Sequence, residues 1–442
     1  MTRHSGVPAG YPPIEASGVR RSPYGGNPTL GARALQTRNR IVAAALQVFG
    51  ERGYHECRVD HITAAAGCSR PSFYQYFSTK EEVFRHLAGE VARRLNDNTQ
   101  ALPPVSGDRA GWQALRGWVA GSADLYDEYW SVFSTFNAAQ GSDDALTRGA
   151  ARVSALQMHV LRRRLSEAPP AVTSDPVLAL LLNMLQASHR YRRQTVLLAT
   201  SPVDRERHLD SLTDVLHRAL FGSRGGRPDV ELPAPSAAPA DSPERTALAT
   251  RGTVPRTAGQ ETRERLVVAG TACFAERGYH DTRVDDIAEG AGVSHGTFYR
   301  YFDDKAQVFQ VVADRSGRRL LRLLQDLPDV AGSAGDQRAR AALRRWLSQY
   351  ARSWSDEGPV LRAWLEAMPE ADELRAVTGA ALWDVQARLT RFLAPRGLGD
   401  PEGDALVLLA ALDLSAAPRD AEGVDRMAGV LRRGFFGVDA RL

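Results

Sequence analysis

A phrase of 48 residues occurs twice in this chain. TRNRIVAAALQVFGERGYHECRVDHITAAAGCSRPSFYQYFSTKEEVF starts at Thr37, and TRERLVVAGTACFAERGYHDTRVDDIAEGAGVSHGTFYRYFDDKAQVF starts at Thr262, at a constant offset of 225 without a gap. About half of the positions are identical. The period lies far outside the roughly 20–50 residues of a solenoid repeat, so the 442-residue chain is read as two tandem units, each long enough to bury its own core. Similarity thins beyond the phrase. LRGW (Leu115–Trp118) is matched by LRRW (Leu343–Trp346), and the units close on LFG at Gly222 and FFG at Gly437. The second unit is about ten residues shorter, and most of the deficit falls around HRYRRQTVLLAT, His189–Thr200.

Periodicity within the phrase predicts helices. Ile41, Ala44, Ala45, Val48 and Phe49 recur at helical spacing, as do Leu266, Ala269, Gly270, Cys273 and Phe274. Cys273 is therefore expected as a buried thiol. Gly53 and Gly278 supply the left-handed residue that ends this helix. A second helix follows, with Val59 and Ile62 (Val284 and Ile287) facing inward. Thr282-Arg283-Val284-Asp285 fits a capping box at its start. Cys57 stands where Thr282 does, and a thiol caps poorly, so that start is expected to be weaker by about 1 kcal/mol in the first copy. Gly67 and Gly292 allow a tight turn, Ser69 and Ser294 cap the next helix, and Pro71 sits in its first turn. Two short helices joined by such a turn make a helix-turn-helix. Phe73 and Phe77, with Phe298 and Phe302, fall on its inner face.

Each copy resembles the N-terminal domain of the TetR (tetracycline repressor) family. The residues that carry the likeness are the helix ending ERGY and then TRVDDIAEGAGVSHGTFYRYFDDKAQVF, with the first copy in the same order. The resemblance covers about 60 residues per unit. It implies an all-α fold: two tandem units, each a three-helix DNA-binding head on a helical body that binds a ligand and dimerises. The implied boundaries are an arm over 1–33, a head over 34–94, a body over 95–222, a linker over 223–258, a second head over 259–319 and a second body over 320–442. The implied DNA-contacting residues are Arg70, Pro71, Ser72, Tyr74, Gln75, Tyr76 and Lys80 in the first head. In the second they are Thr282, His295, Gly296, Thr297, Tyr299, Arg300, Tyr301 and Lys305. A lysine opening a helix is mildly disfavoured by the helix dipole, which a phosphate partner would explain.

The implied function is a sequence-specific transcription regulator, commonly a repressor, that binds a duplex operator and responds to a small-molecule effector. Two different heads on one chain point to an asymmetric operator read by a covalent pseudo-dimer, with a four-headed homodimer as the competing arrangement. The bodies have diverged more than the heads, so one of them is expected to keep a ligand pocket. A DNA-organising protein of low sequence preference and a helical enzyme are the alternatives.

Composition adds limits. Net charge is +4, only a modest tilt toward a polyanion. The arm and linker are rich in Pro, Gly, Ala and Ser and are read as disordered. Arg3, Arg20, Arg21, Arg33, Arg251 and Arg256 are read there as solvated rather than as minor-groove arms. No apolar run could span a bilayer or serve as a signal peptide, so a cytoplasmic protein without membrane contact is expected. Three cysteines form no framework, and His159 and His189 have no second histidine or carboxylate at metal spacing, so no metal, cofactor or catalytic residue is assigned. Trp112, Trp118, Trp130, Phe133 and Phe136, and Trp346, Trp354, Trp364 and Trp383, are read as body core.

Overall fold

The computed structural model describes residues 32–139, 144–197, 203–222, 258–328, 337–367, 372–413 and 420–437. The arm and linker lie almost wholly outside these residues, as do Arg3, Arg20, Arg21, Arg251 and Arg256. Arg33 is exposed in the first helical turn. Among the described residues every regular element is helical, and no helix is long and apolar enough to cross a membrane.

The first half runs α1 (Ala32–Arg52), α2 (Val59–Ala66), α3 (Arg70–Tyr76), α4 (Lys80–Gln100), α5 (Arg109–Glu128), α6 (Trp130–Ala139), α7 (Asp144–Arg164), α8 (Asp175–Leu197) and α9 (Arg205–Phe221). The second runs α10 (Ala258–Asp281), α11 (Val284–Gly290), α12 (His295–Phe298), α13 (Lys305–Gln325), α14 (Gln337–Ala367), α15 (Asp372–Leu393), α16 (Pro401–Ala411) and α17 (Ala421–Phe436). Where the first half breaks between α5 and α6, the second carries one 31-residue helix with Pro359 inside it. The 23-residue α8 is answered by an 11-residue α16. The missing length is the C-terminal half of α8, where the sequence placed the deficit.

Two compact units form, Met1–Ala92 with Ser131–Arg152, and Arg93–Trp130 with Val153–Leu442. In the first, Ile41, Ala45, Val48 and Phe49 of α1 are buried, with Ile62, Phe73, Phe77 and Phe84 from the following helices. These apolar groups leave water together, at roughly 1.5–3 kcal/mol for each large side chain.

The second unit holds the second head and most of both bodies. α8 and α9 pack against α16 and α17, and α10 and α13 pack against α14. The helix pairs α8/α9 and α16/α17 thus make a four-helix layer inside one chain. α9 is buried on every side from Ser211 to Leu220. A helix so enclosed must satisfy its polar groups internally. Arg218 donates from Nε to the Gly434 carbonyl at 2.8 Å and from Nη2 to Asp404 Oδ2 at 2.8 Å. Arg433 donates from Nε to the Ala219 carbonyl at 2.8 Å and from Nη2 to that of Leu220 at 2.9 Å. Arg218 and Arg433 share the spacing of Gly222 and Gly437, and so do their acceptors Ala219 and Gly434. The contact is therefore reciprocal, as in an isologous dimer interface. Gly222 and Gly437 end the two helices with φ of 71° and 64°, where glycine alone is unstrained.

Further ion pairs join the layer: Arg207 with Asp400 and Glu402 at 2.8 and 3.0 Å, and Arg190 with Asp413. At Gly403 a Cβ would lie 2.0 Å from Ser211 Oγ, so the close approach of α16 to α9 requires glycine.

Candidate nucleic-acid interface

The two helix-turn-helix segments are built alike. α2 ends at Gly67 with φ of 61°, and the matching Gly292 has φ of 63°. Ser69 and Ser294 cap the next helices, accepting from the backbone N–H of Ser72 at 3.3 Å and of Thr297 at 3.2 Å. Phe73, Phe77, Phe298 and Phe302 are buried beneath them. Burial of these rings anchors the second helix of each helix-turn-helix and fixes which side chains face out. α3 runs seven residues, while α12 closes after four and continues as a turn.

The start of the second helix differs from expectation. Its N-cap residues are Arg58 and Arg283, one position later than the predicted cap. In the second head Asp286 accepts from the Arg283 N–H at 2.8 Å, which is half of a capping box. The Thr282 hydroxyl instead donates to the carbonyl of Gly278 at 2.6 Å, with the Cys273 carbonyl 3.2 Å away as the competing acceptor. It is only 1% exposed. Thr282 therefore stitches α10 to the turn and does not cap α11. Cys57 is buried in the same place, its Sγ 3.6 Å from the Arg58 carbonyl. The predicted weakening of a cap does not apply, because neither residue is one. Cys273 is half-buried, because its helix leaves that position at the margin of the core.

Lys80 and Lys305 have internal partners. Lys80 Nζ donates to the carbonyls of Tyr54, His55 and Cys57 at 2.8, 3.3 and 2.9 Å. Lys305 Nζ donates to those of Tyr279, His280 and Thr282 at 2.8, 3.2 and 3.0 Å. Each ammonium also sits over a tyrosine ring, 4.6 Å from Tyr54 and 4.5 Å from Tyr279. An ammonium has three N–H donors. All three meet the carbonyls between the first and second helices, which accounts for a cation at this helix start without a phosphate.

The outward residues separate by exposure. Tyr74 and Tyr299 are 50% and 49% exposed. Arg70, Pro71 and Gln75 are exposed, as are His295, Gly296 and Arg300. Ser72, Tyr76, Thr297 and Tyr301 are half-buried, and Tyr301 packs against the core of its head. Arg70 forms an ion pair with Asp60 of α2, and at the matching position His295 Nδ1 meets a carboxylate oxygen of Asp285 of α11. The Arg70 hydrogen bond holds the Asp60 carboxyl below the usual carboxylate range. The two outward surfaces thus share a tyrosine and an Asp-paired first residue, and differ in Gln75 against Arg300.

In the bodies, Trp112 Nε1 donates to Asp214 at 2.7 Å, Trp118 Nε1 to Thr99 at 3.2 Å and Trp346 Nε1 to the Leu323 carbonyl at 2.7 Å. Trp354 is buried, and Trp130, Phe133, Phe136 and Trp383 are half-buried. The Trp364 side chain lies outside the described residues. The sequence missed one juxtaposition. His189 lies beside His208, on a different helix 19 positions along, a spacing that no helical period brings together. Among the described residues no group of three or more His, Cys, Asp or Glu could hold a metal.

The family profile for bacterial regulatory proteins of the tetR family matches residues 41–87 and again 266–312. Over 71 residues the chain is 35% identical to the HTH-type transcriptional regulator YdgC of Bacillus subtilis, covering 16% of this chain and 36% of that protein. Over 101 residues it is 38% identical to the HTH-type transcriptional activator FasR of Mycolicibacterium smegmatis, covering 20% and 45%. Over 214 residues it is 27% identical to the HTH-type transcriptional repressor NicS of Pseudomonas putida, covering 44% and 97%. The chain thus spans about half or less of the length of the first curated relatives it matches. Both profile matches fall on the helix-turn-helix segments described above, at the same offset as the repeated phrase, so the chain carries the helix-turn-helix domain of the tetR family twice.

Proposed function

We propose that this protein is a sequence-specific DNA-binding transcription regulator, acting as a repressor, whose two heads read two different half-sites from one covalent pseudo-dimer. The reading rests chiefly on the pair of exposed recognition surfaces that share Tyr74 and Tyr299 but differ at Gln75 and Arg300. By hydrogen-bonding geometry, glutamine suits an adenine edge and arginine a guanine edge. The reciprocal packing of α8/α9 on α16/α17 supports pairing of the bodies within one chain. NicS, which the chain matches over 97% of that protein's length, is named a repressor, and this supports the sign. An effector in a body would shift operator affinity only by as much as it discriminates between the bound and free arrangements of the heads.

Protection of the upstream region of its own gene, at two salt concentrations, tests the reading. Tyr74→Ala and Tyr299→Ala are the informative variants, because both side chains are exposed and their loss leaves the core intact. Each is expected to weaken one specific site roughly 10- to 100-fold, the worth of a contact of about 1–3 kcal/mol. Selection from random duplexes should return an asymmetric site, and a perfect palindrome would sink the two-half-site reading. Binding with steep salt dependence and no preferred site would mark a DNA-organising protein instead. Light scattering should give a mass near 48.2 kDa, and twice that value would favour a dimer of chains.

A further inference from the structure

The first body buries polar chemistry that its own fold does not use. His189 of α8 and His208 of α9 are wholly buried, with ring centroids 6.4 Å apart. None of their four ring nitrogens meets a hydrogen-bond partner. The Tyr126 ring of α5 stands 5.9 Å from His189, and Trp130 stands 5.9 Å from Tyr126. On α8 the Nε atoms of Arg192 and Arg193 are also buried without an acceptor. A buried polar group left unsatisfied destabilises the fold, so a cluster of them calls for a role beyond packing.

The balance of donors and acceptors identifies the missing partner. Burial keeps both imidazoles neutral, pushing His208 down to about 3 and His189 well below its ordinary value. A neutral imidazole offers one donor and one acceptor, whereas a guanidinium Nε offers only a donor. Among these four side chains donors are in excess, while Gln186 and Gln194 of α8 each bury an unpaired carbonyl oxygen. The charge around them is positive as well, with Arg192 near both rings, Arg205 near His189 and Arg116 near His208. The carboxylates facing the cluster from α5 are already engaged, Asp127 by Arg192 and Asp124 by Arg205.

Among the described residues the cluster has no double in the second half. His189, Arg192 and Arg193 lie in the part of α8 that the shorter α16 lacks. In the second body, Trp346, Tyr350 and Trp354 stack on one another at 5.1 and 6.1 Å.

We propose that His189, His208, Arg192 and Arg193 form an effector site in the first body for a small aromatic carboxylate, the carboxylate taken by their donors and the ring by Tyr126 and Trp130. The effector role rests on the reading of the protein as a ligand-modulated DNA-binding regulator. The binding site does not.

Calorimetric titration of the full chain with benzoate, salicylate and phenylacetate tests it, with benzamide as the neutral control. At least one carboxylate should bind with one site per chain and raise Tm by several degrees at millimolar concentration, with benzamide at least tenfold weaker. His189→Leu/His208→Leu should abolish the response while raising the Tm of the free protein, since apolar groups replace unsatisfied polar ones. A merely structural pair would lower Tm on the same change. If the double variant does not fold, Trp130 emission decides, read against Trp130→Phe: a saturable change with the carboxylates supports the site. The proposal is overturned if none of the three acids binds, if benzamide matches them, if two equal sites titrate, or if the folded double variant still responds. Operator protection on the same preparation separates the two failures. Protection without carboxylate binding removes this site and leaves the regulator reading. Carboxylate binding that leaves operator affinity unchanged removes the effector role.

Discussion

Replacing Arg218 by leucine is expected to destabilise the unit that contains both bodies by about 3–5 kcal/mol, the cost of breaking a buried pair from one side. The guanidinium bonds the Gly434 carbonyl, the Leu398 carbonyl and Asp404 together. Its loss strands a buried carboxylate and two carbonyls in the middle of a closed helix layer. Leucine at both Arg218 and Asp404 should recover most of the loss, because the stranded charge is then gone. Denaturant titration of the full chain, read by circular dichroism, measures both. If the single variant costs less than about 1 kcal/mol, the value of a solvent-exposed pair, the layer is open in solution.

Asp404 gives the same layer a pH dependence. Burial pushes its carboxyl up to about 6 from 3.8, with Arg218 opposing the shift. The folded state thus holds this proton more tightly than the unfolded chain does. The contribution favours folding below about pH 4 and is lost as pH rises through about 6. Wild type should accordingly gain stability relative to Asp404→Asn as the pH falls from about 7 to about 5. A constant difference across that range would remove Asp404 as the titrating group.

Lys305→Met should have the second large effect, confined to one head. Three carbonyls lose an ammonium donor at 2.8–3.2 Å. Hydrogen bonds to charged groups contribute about 1.5–3 kcal/mol each, and the flanking backbone can relax toward water, so a net loss of about 2–4 kcal/mol is expected. Hydrogen exchange should show it as faster opening of α11 and α12, with the α9 amides unchanged. Lys80→Met should do the same to α2 and α3. Arginine should not rescue either site, since a planar fork cannot direct three donors at carbonyls gathered around one point. Normal protection in Lys305→Met, with DNA affinity lost, would show instead that the ammonium serves a phosphate.

The head was legible in the sequence because its signals are local. Helical spacing of Ile41, Ala45, Val48 and Phe49, glycines at the left-handed positions, and serine caps each act within a few residues. Legibility failed where partners are distant or shared. Thr282 has the right chemistry for a cap, but the carbonyls of Cys273 and Gly278 compete for its hydroxyl and win. Lys80 reads as a surface cation because its acceptors lie 23–26 residues upstream. The His189–His208 pair and the Arg218–Asp404 pair depend on how helices from separate segments meet, and no pattern along the chain announces either.

The ion pairs named in the helix layer between the bodies all run one way. Arg190, Arg207 and Arg218 come from the first half, and their partners Asp413, Asp400, Glu402 and Asp404 from the second. Two copies of the first half meeting at this face would leave Arg190, Arg207 and Arg218 without these carboxylates, and two copies of the second would leave the carboxylates without these arginines. Breaking a buried pair by removing one partner costs about 3–5 kcal/mol. The two halves therefore suit each other better than either suits a second copy of itself. On the reading proposed above, a change in one helix-turn-helix would then alter one half of one DNA site and leave the other half as it was.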